Sequence, residues 1–356
     1  MSLLNTSEFI SSKLSSFYCD KRVLVTGGAS FIGSSLVQML CEFGAKVTVI
    51  DDLSSGKIEN FHDIHEINFI EGDLRDRNFA NLKITGFEIV FHLAAIHGGR
   101  GFIETYKQDM FVNLVLDNNV FSSASRNGAK MIVHASSACA YPITLQEHQE
   151  DRHLLQEDEA SMDRPETSFA DGVYGWTKLI GEYQLQNHCT QFTKGRAARI
   201  FTAYGEKENE SHAAIALIAK CLFRADPFPI WGNGQQTRNF TYVADTALGL
   251  ILLGSDQSGL EFDVFNIGTS THIKVIDFVE EIFRQINWRP TLIDYQLDRP
   301  TGVASRASNN EKIQEAFGWE PSLGISLGIQ RTIQWYSQLE NKPQSLAELE
   351  KILASR

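Results

Sequence analysis

The chain has no uninterrupted run of about 18 apolar residues, the length a helix needs to cross a bilayer, so no membrane span and no membrane partner are expected. Its first twenty residues, MSLLNTSEFISSKLSSFYCD, scatter Ser, Glu and Lys among the apolar positions. Without a continuous apolar core they do not read as a secretory signal, and a short amphipathic helix packed on the domain is expected instead. Cysteine is sparse and unpatterned. Cys19, Cys41, Cys139, Cys189 and Cys221 are odd in number and lack metal-ligand spacing, so a reduced, cytoplasmic chain without a metal site is expected. Basic residues are in deficit, 32 against 44 acidic ones, for a net charge of −12. That balance excludes the basic face a nucleic-acid partner requires, while leaving room for local arginines to hold an anionic small molecule. No internal repeat is visible.

What is present is a core-forming chain of 356 residues, 43% apolar, enough for one large α/β domain with a smaller appended lobe. Apolar β-branched runs at Arg22–Thr26, Lys46–Asp51, Ile67–Glu71, Glu88–Leu93, Lys130–Ser136 and Arg196–Phe201 alternate with helical patterns. This rhythm predicts a Rossmann-type, doubly wound parallel sheet with helices on both faces. The expected division is an N-terminal extension (1–20), a dinucleotide-binding domain (21–204), a mainly substrate-binding α/β lobe (205–337, from which some segments return to the first domain) and a polar C-terminal helix (338–356). Residues 146–171 interrupt the rhythm with a concentration of acidic residues, Asp151 among them, and read as a solvated surface loop.

Val23–Thr26 forms a strand, Gly27 to Gly33 a turn and Ser34–Leu40 a helix, the context that gives a glycine-rich fingerprint weight. Gly27 permits the tight turn, and Gly33 lets the helix pack closely. Gly28, Ser30, Phe31 and Ile32 complete the turn, whose helix N-terminus would receive a pyrophosphate. Asp51 ends the second strand 18 residues after Gly33, near the spacing of a carboxylate that holds the adenine ribose hydroxyls and repels a 2′-phosphate. NAD is therefore expected over NADP. Asp73-Leu74 and Leu93-Ala94-Ala95 follow the third and fourth strands, where an open parallel sheet binds ligands. Tyr174 and Lys178 stand four residues apart on a predicted helix and share one face. An ammonium beside a phenol lowers its pKa, and a phenolate can take a hydroxyl proton as hydride leaves the same carbon.

Taken in order, TGGASFIG, DDLSSGK, GDLRD, HLAA, Asn113, SSACAY, YGWTK, GNGQQTRNFTYVAD, FNIGTS and FGWEP make residues 21–337 resemble the nucleotide-sugar epimerase/dehydratase family of extended short-chain dehydrogenases/reductases. The resemblance implies a Ser137, Tyr174 and Lys178 triad, an Asn113 at the cofactor, a nucleotide-diphosphate sugar as substrate, and a homodimer formed through a four-helix bundle. It is strongest toward the GDP-mannose 3,5-epimerase branch, through GGRGFI (Gly98, Gly99 and Arg100 at its start), SSACAYP, WGNGQQTRNFT and RPTGVASR. There the resemblance implies a proton-exchanging cysteine at Cys139 and a second acid/base at His212, where relatives carry lysine. Thr202 stands where many relatives have asparagine, and Ser30 replaces a glycine. Arg238 and Arg306 are candidates for the substrate diphosphate, since guanidinium forks match phosphate oxygens, and His97 is a candidate sugar contact. Thiols near ~8.5 and imidazoles near ~6.5 titrate close to working pH. The expected activity is epimerisation at C3 and/or C5 of an NDP-hexose through a transient 4-keto sugar. The alternatives are a 4-epimerase, a 4,6-dehydratase (disfavoured because Ala138-Cys139 stands where that type has Asp-Glu) and a non-enzymatic NAD-binding redox sensor.

Overall fold

A computed structural model describes residues 8–355 except positions 63, 65, 149 and 151; Asp151 of the acidic segment and residues 1–7 of the extension thus lie outside the described residues. Seven strands form one sheet: β1 (Arg22–Thr26), β2 (Lys46–Asp51), β3 (Ile67–Glu71), β4 (Ile89–His92), β5 (Met131–Ser137), β6 (Lys194–Ile200) and β7 (Phe262–Ile267). Their spatial order is β7-β6-β5-β4-β1-β2-β3, and every neighbouring pair is parallel. The order reverses between β1 and β4, the switch point at which such sheets bind dinucleotides.

Period-2 alternation sorts the side chains to the two faces. Val23 and Val25 of β1 pack with α2 (Phe31–Glu42) and Leu14 and Tyr18 of the N-terminal helix α1 (Glu8–Tyr18). Leu24 faces the other way, onto Leu116, Val120 and Phe121 of α3 (Val112–Arg126) and Leu185 of α4 (Gly172–His188). The expected N-terminal helix is thus anchored, with the Tyr18 hydroxyl donating to Ile251 O at 2.6 Å.

Beyond residue 205 some segments belong to the main sheet and its core: β7 closes the sheet against β6, and Val243–Gly254 is a wholly buried helix in the main core. What stands apart is a small assembly around α5 (Ala213–Leu222), a parallel pair Phe228–Trp231 with Ile293–Gln296, and an antiparallel pair Thr237–Arg238 with Ile273–Lys274. The acidic stretch is no simple solvated loop. Leu154–Leu155 pairs with Ala307–Ser308, Arg199 donates to Glu157 O and Ala160 O at 2.7 Å each, and both Gln146 and Asp171 are buried. The C-terminal helix, Leu346–Ser355, buries Leu349 beside Ile215 and Ala219 of α5. Among the described residues no helix is long and apolar enough to cross a membrane.

Candidate active site

The first turn after β1 is shaped by what glycine lacks. Gly27 has φ +69°, and a Cβ there would lie 2.6 Å from Ala94 N; one on Gly33 would lie 2.3 Å from Gly27 O. The helix therefore starts hard against the strand end, leaving its first-turn N–H groups free to meet an anion. Ser30 caps the turn differently from a glycine: its hydroxyl donates to Gly27 O at 2.6 Å. Asp51 accepts from Ala29 N and Leu53 N, both at 2.9 Å, one on each carboxylate oxygen. Burial raises its pKa while these N–H donors lower it, and each oxygen keeps a lone pair for a ribose hydroxyl. This cradle fits a dinucleotide without a 2′-phosphate. Asp73, half-exposed and bound to Arg75, and Leu74, whose side chain is in the core, follow β3 at the same sheet edge. The Asn113 side-chain amide donates to Ile96 O and accepts from Ile96 N, at 3.0 and 2.7 Å, and so pins the loop after β4.

Beyond this cradle a cavity of about 440 Å³ opens between the sheet and the smaller assembly, a size suited to a small-molecule ligand. Ser30, Phe31, Ile32, Leu93 and Ala95 line its cofactor side, and Ser137, Cys139, Tyr174, Lys178, Thr202 and His212 its middle. Gly98 and Gly99 form a turn against the loop that carries His212; a Cβ on Gly99 would lie 2.2 Å from Ser211 O.

The Tyr174–Lys178 spacing does place both side chains on one face of α4, with the Lys178 ammonium 5.9 Å from the Tyr174 ring centroid and donating to Ala135 O at 2.8 Å. The expected lowering of the phenol's pKa is corrected. Burial pushes Tyr174 up, Cys139 adds to that, and the Ser137 hydrogen bond opposes it. Burial also pushes the Lys178 ammonium down.

Cys139 sits in a one-turn helix after β5, its N–H donating to Ser137 Oγ at 3.1 Å. Arg306 is buried, and each nitrogen of its fork donates once: Nε to Gln146 Oε1 at 2.5 Å, Nη2 to Asp171 Oδ2 at 2.8 Å, and Nη1 to Cys139 Sγ at 3.3 Å. These bonds hold the guanidinium against the sulfur. Arg100 shares Asp171, at 3.0 Å. Burial would raise the Asp171 pKa, but Arg306 and Arg100 carry it below the usual carboxylate range. Arg238 donates to Thr237 O and Thr301 O at 2.6 and 2.7 Å. Burial and the charges of Arg306 and Arg100 act against its own charge, yet a guanidinium stays protonated, so an anion entering the cavity relieves it. His212 is the N-cap residue of α5; its Nδ1 lies 3.3 Å from Glu208 Oε1, and its ring centroid is 5.7 Å from that of His97.

Several cavity residues escaped the sequence reading. Lys220 lines the cavity from α5, and among the described residues no hydrogen bond or ion pair holds its ammonium. Its signal was visible: it is the single charge in AAIALIAKCL. Asp171, Gln146 and Glu208 were hidden because nothing in sequence joins them to the groups they support. Trp231, with Arg299 stacked over it at 5.7 Å, closes the far end.

A seven-stranded doubly wound sheet, a glycine turn with its acid at the switch point and a Ser-Tyr-Lys constellation in one cavity define an NAD-dependent enzyme of the extended short-chain type. The sequence model of the NAD dependent epimerase/dehydratase family matches residues 23–268, and the chain belongs to that family. Among its relatives, it is 29% identical over 331 residues to GDP-mannose 3,5-epimerase 1 of Oryza sativa subsp. japonica, covering 91% of this chain and 84% of the relative. It is 26% identical over 329 residues to the UDP-N-acetyl-alpha-D-glucosaminuronate decarboxylase of Bacillus cytotoxicus, covering 90% and 99%. Among solved structures, the UDP-glucose 4-epimerase of Thermotoga maritima with UDP-glucose superposes with a TM-score of 0.75 at 25% identity, covering 89% of this chain and 99% of that one.

Proposed function

We propose that the protein epimerises a nucleotide-diphosphate hexose at C3 and/or C5 through a transient 4-keto sugar. The observation that carries this reading is Cys139: its sulfur lines the same cavity as Tyr174 and receives a hydrogen bond from a buried arginine. The Gly27–Gly33 turn, Asp51 and the Leu93–Ala95 strand end would hold NAD, which when bound would supply the acceptor and donor of the C4 hydride and a positive charge that favours the phenolate. Tyr174 takes the C4 hydroxyl proton, oriented by Ser137. The resulting ketone acidifies the hydrogens at C3 and C5, because the enolate spreads its charge onto oxygen. Cys139 on one side and His212 on the other remove and return a proton, with Arg306 stabilising the charge left on sulfur and Glu208 orienting the imidazole. Arg238 and Lys220 bind the diphosphate, and Trp231 bounds the nucleotide end. The chain works as a homodimer in the cytoplasm.

A plain 4-epimerase needs only Ser137, Tyr174 and Lys178 and leaves the Cys139–Arg306 contact without a task. Cys139→Ala separates the two. It should abolish solvent deuterium incorporation at C3 and C5 while NAD is still reduced transiently by the sugar; incorporation at the wild-type rate would sink the assignment.

A further inference from the structure

Behind Lys178, on the side away from the cavity, three polar side chains are buried together: Asp117 on α3, His92 at the end of β4 and His134 in β5. His92 Nε2 lies 3.0 Å from Asp117 Oδ1, and its Nδ1 lies 2.7 Å from Thr26 Oγ1. With the threonine hydroxyl donating to Nδ1, the ring carries its proton on Nε2 and gives it to the carboxylate. Among the described residues Asp117 Oδ2 and both nitrogens of His134 have no hydrogen-bond partner, and Oδ2 stands 4.0 Å from His134 Nε2. The carboxylate presses on α4 at Gly181, where a Cβ would lie 2.5 Å from Oδ2. Gly181 is three positions from Lys178, on the same helix face.

We propose that Asp117 is the fixed counter-charge of Lys178, a positioning residue held by His92 that keeps the buried ammonium charged. This rests on reading Tyr174 and Lys178 as the hydride-transfer pair. The other charges around Lys178 are committed elsewhere. Glu182 on α4 is bound to Ser136 and, at 2.7 Å, to Arg199 of β6. Asp171 holds Arg100 and Arg306, Cys139 faces Arg306, and on the turn before α3 Lys107 pairs with Glu104 while Asp109 is half-buried. His134 is pushed down to about 3, first by burial, and is neutral. Burial drives the lysine toward its neutral form, and Asp117 is the leading charge that opposes this. A divalent cation among the three groups would face that ammonium across a buried space, so the lysine is the better match for the carboxylate.

The test is the pH dependence of kcat/KM on the most active of the GDP-, UDP-, dTDP- and CDP-hexoses, whose alkaline limb reports loss of the Lys178 proton. Asp117→Asn should move that limb down by about one pH unit or more, the shift an opposite charge at close range produces, with NAD affinity unchanged. Asp117→Thr, smaller and neutral, should move it the same way, Asp117→Glu should restore it, and His134→Phe should leave it in place. Tyr174→Phe separates the two layers. If that variant turns over, the hydride-transfer reading itself fails. If it is inactive while both neutral Asp117 variants keep the wild-type limb, the counter-charge alone is overturned.

Discussion

Replacing Arg306 by Met keeps most of the side-chain volume and removes all three of its hydrogen bonds. Bonds to charged groups are worth about 1.5–3 kcal/mol each, but the losses here do not simply add. Asp171 keeps Arg100 at 3.0 Å, so its carboxylate is not stranded, and the thiol is a weak acceptor. A net destabilisation of about 3 kcal/mol is expected, at the lower end for a broken buried ion pair and survivable for a protein of ordinary stability. The loss of charge stabilisation at sulfur should slow proton exchange on the order of 100-fold, comparable to removing one preorganised donor from a developing anion. Thermal unfolding and solvent deuterium incorporation at the sugar carbons would be measured on the same preparation, with NAD affinity as a control. A lower melting temperature with exchange at the wild-type rate would refute the reasoning and leave Arg306 a packing residue.

The Asp171 carboxylate, with its folded pKa depressed by Arg306 and Arg100, contributes stability that is full above the ordinary value of 3.8 and lost as pH falls below it; Asp171→Asn should flatten the acid side of a stability–pH curve, and an unchanged curve would contradict this. Gly99→Val should push Ser211 and the His212 loop away, slowing exchange while sparing NAD affinity; exchange and affinity both at wild-type levels would argue that the loop moves freely. Phe111, Val115 and Tyr183 leave exposed apolar surface on and beside α3 and α4, so Val115→Arg should convert the proposed homodimer to a monomer in light scattering, and an unchanged mass would place the interface elsewhere.

Six of the seven core strands were legible because a strand buried on both faces is a short apolar run with turn residues at its ends, and their boundaries agree with the structure to within two residues. The seventh, Phe262–Ile267, was not, since Asp263 and Asn266 interrupt its apolar pattern. In the fold Asn266 is fully satisfied, accepting from the Tyr141 hydroxyl at 2.6 Å and donating to Leu155 O at 2.8 Å. Local spacing revealed Tyr174 with Lys178 and the glycine turn. It could not reveal that Gln146, Asp171 and Arg306 converge on Cys139, because those partners are up to 167 positions apart and meet only when β5, α4 and the segment after residue 300 are folded together. Asp117 and His134 were silent for the same reason, each reading as an ordinary member of its helix or strand.

The most direct test of the account is to incubate the wild-type enzyme and NAD with GDP-, UDP-, dTDP- and CDP-hexoses in deuterated water and locate the label by NMR. Deuterium at C3 or C5 of one of these sugars, absent in Cys139→Ala, is the predicted result. Inversion at C4 with no deuterium at any ring carbon would contradict it and leave Tyr174, Lys178 and Ser137 as the whole of the chemistry.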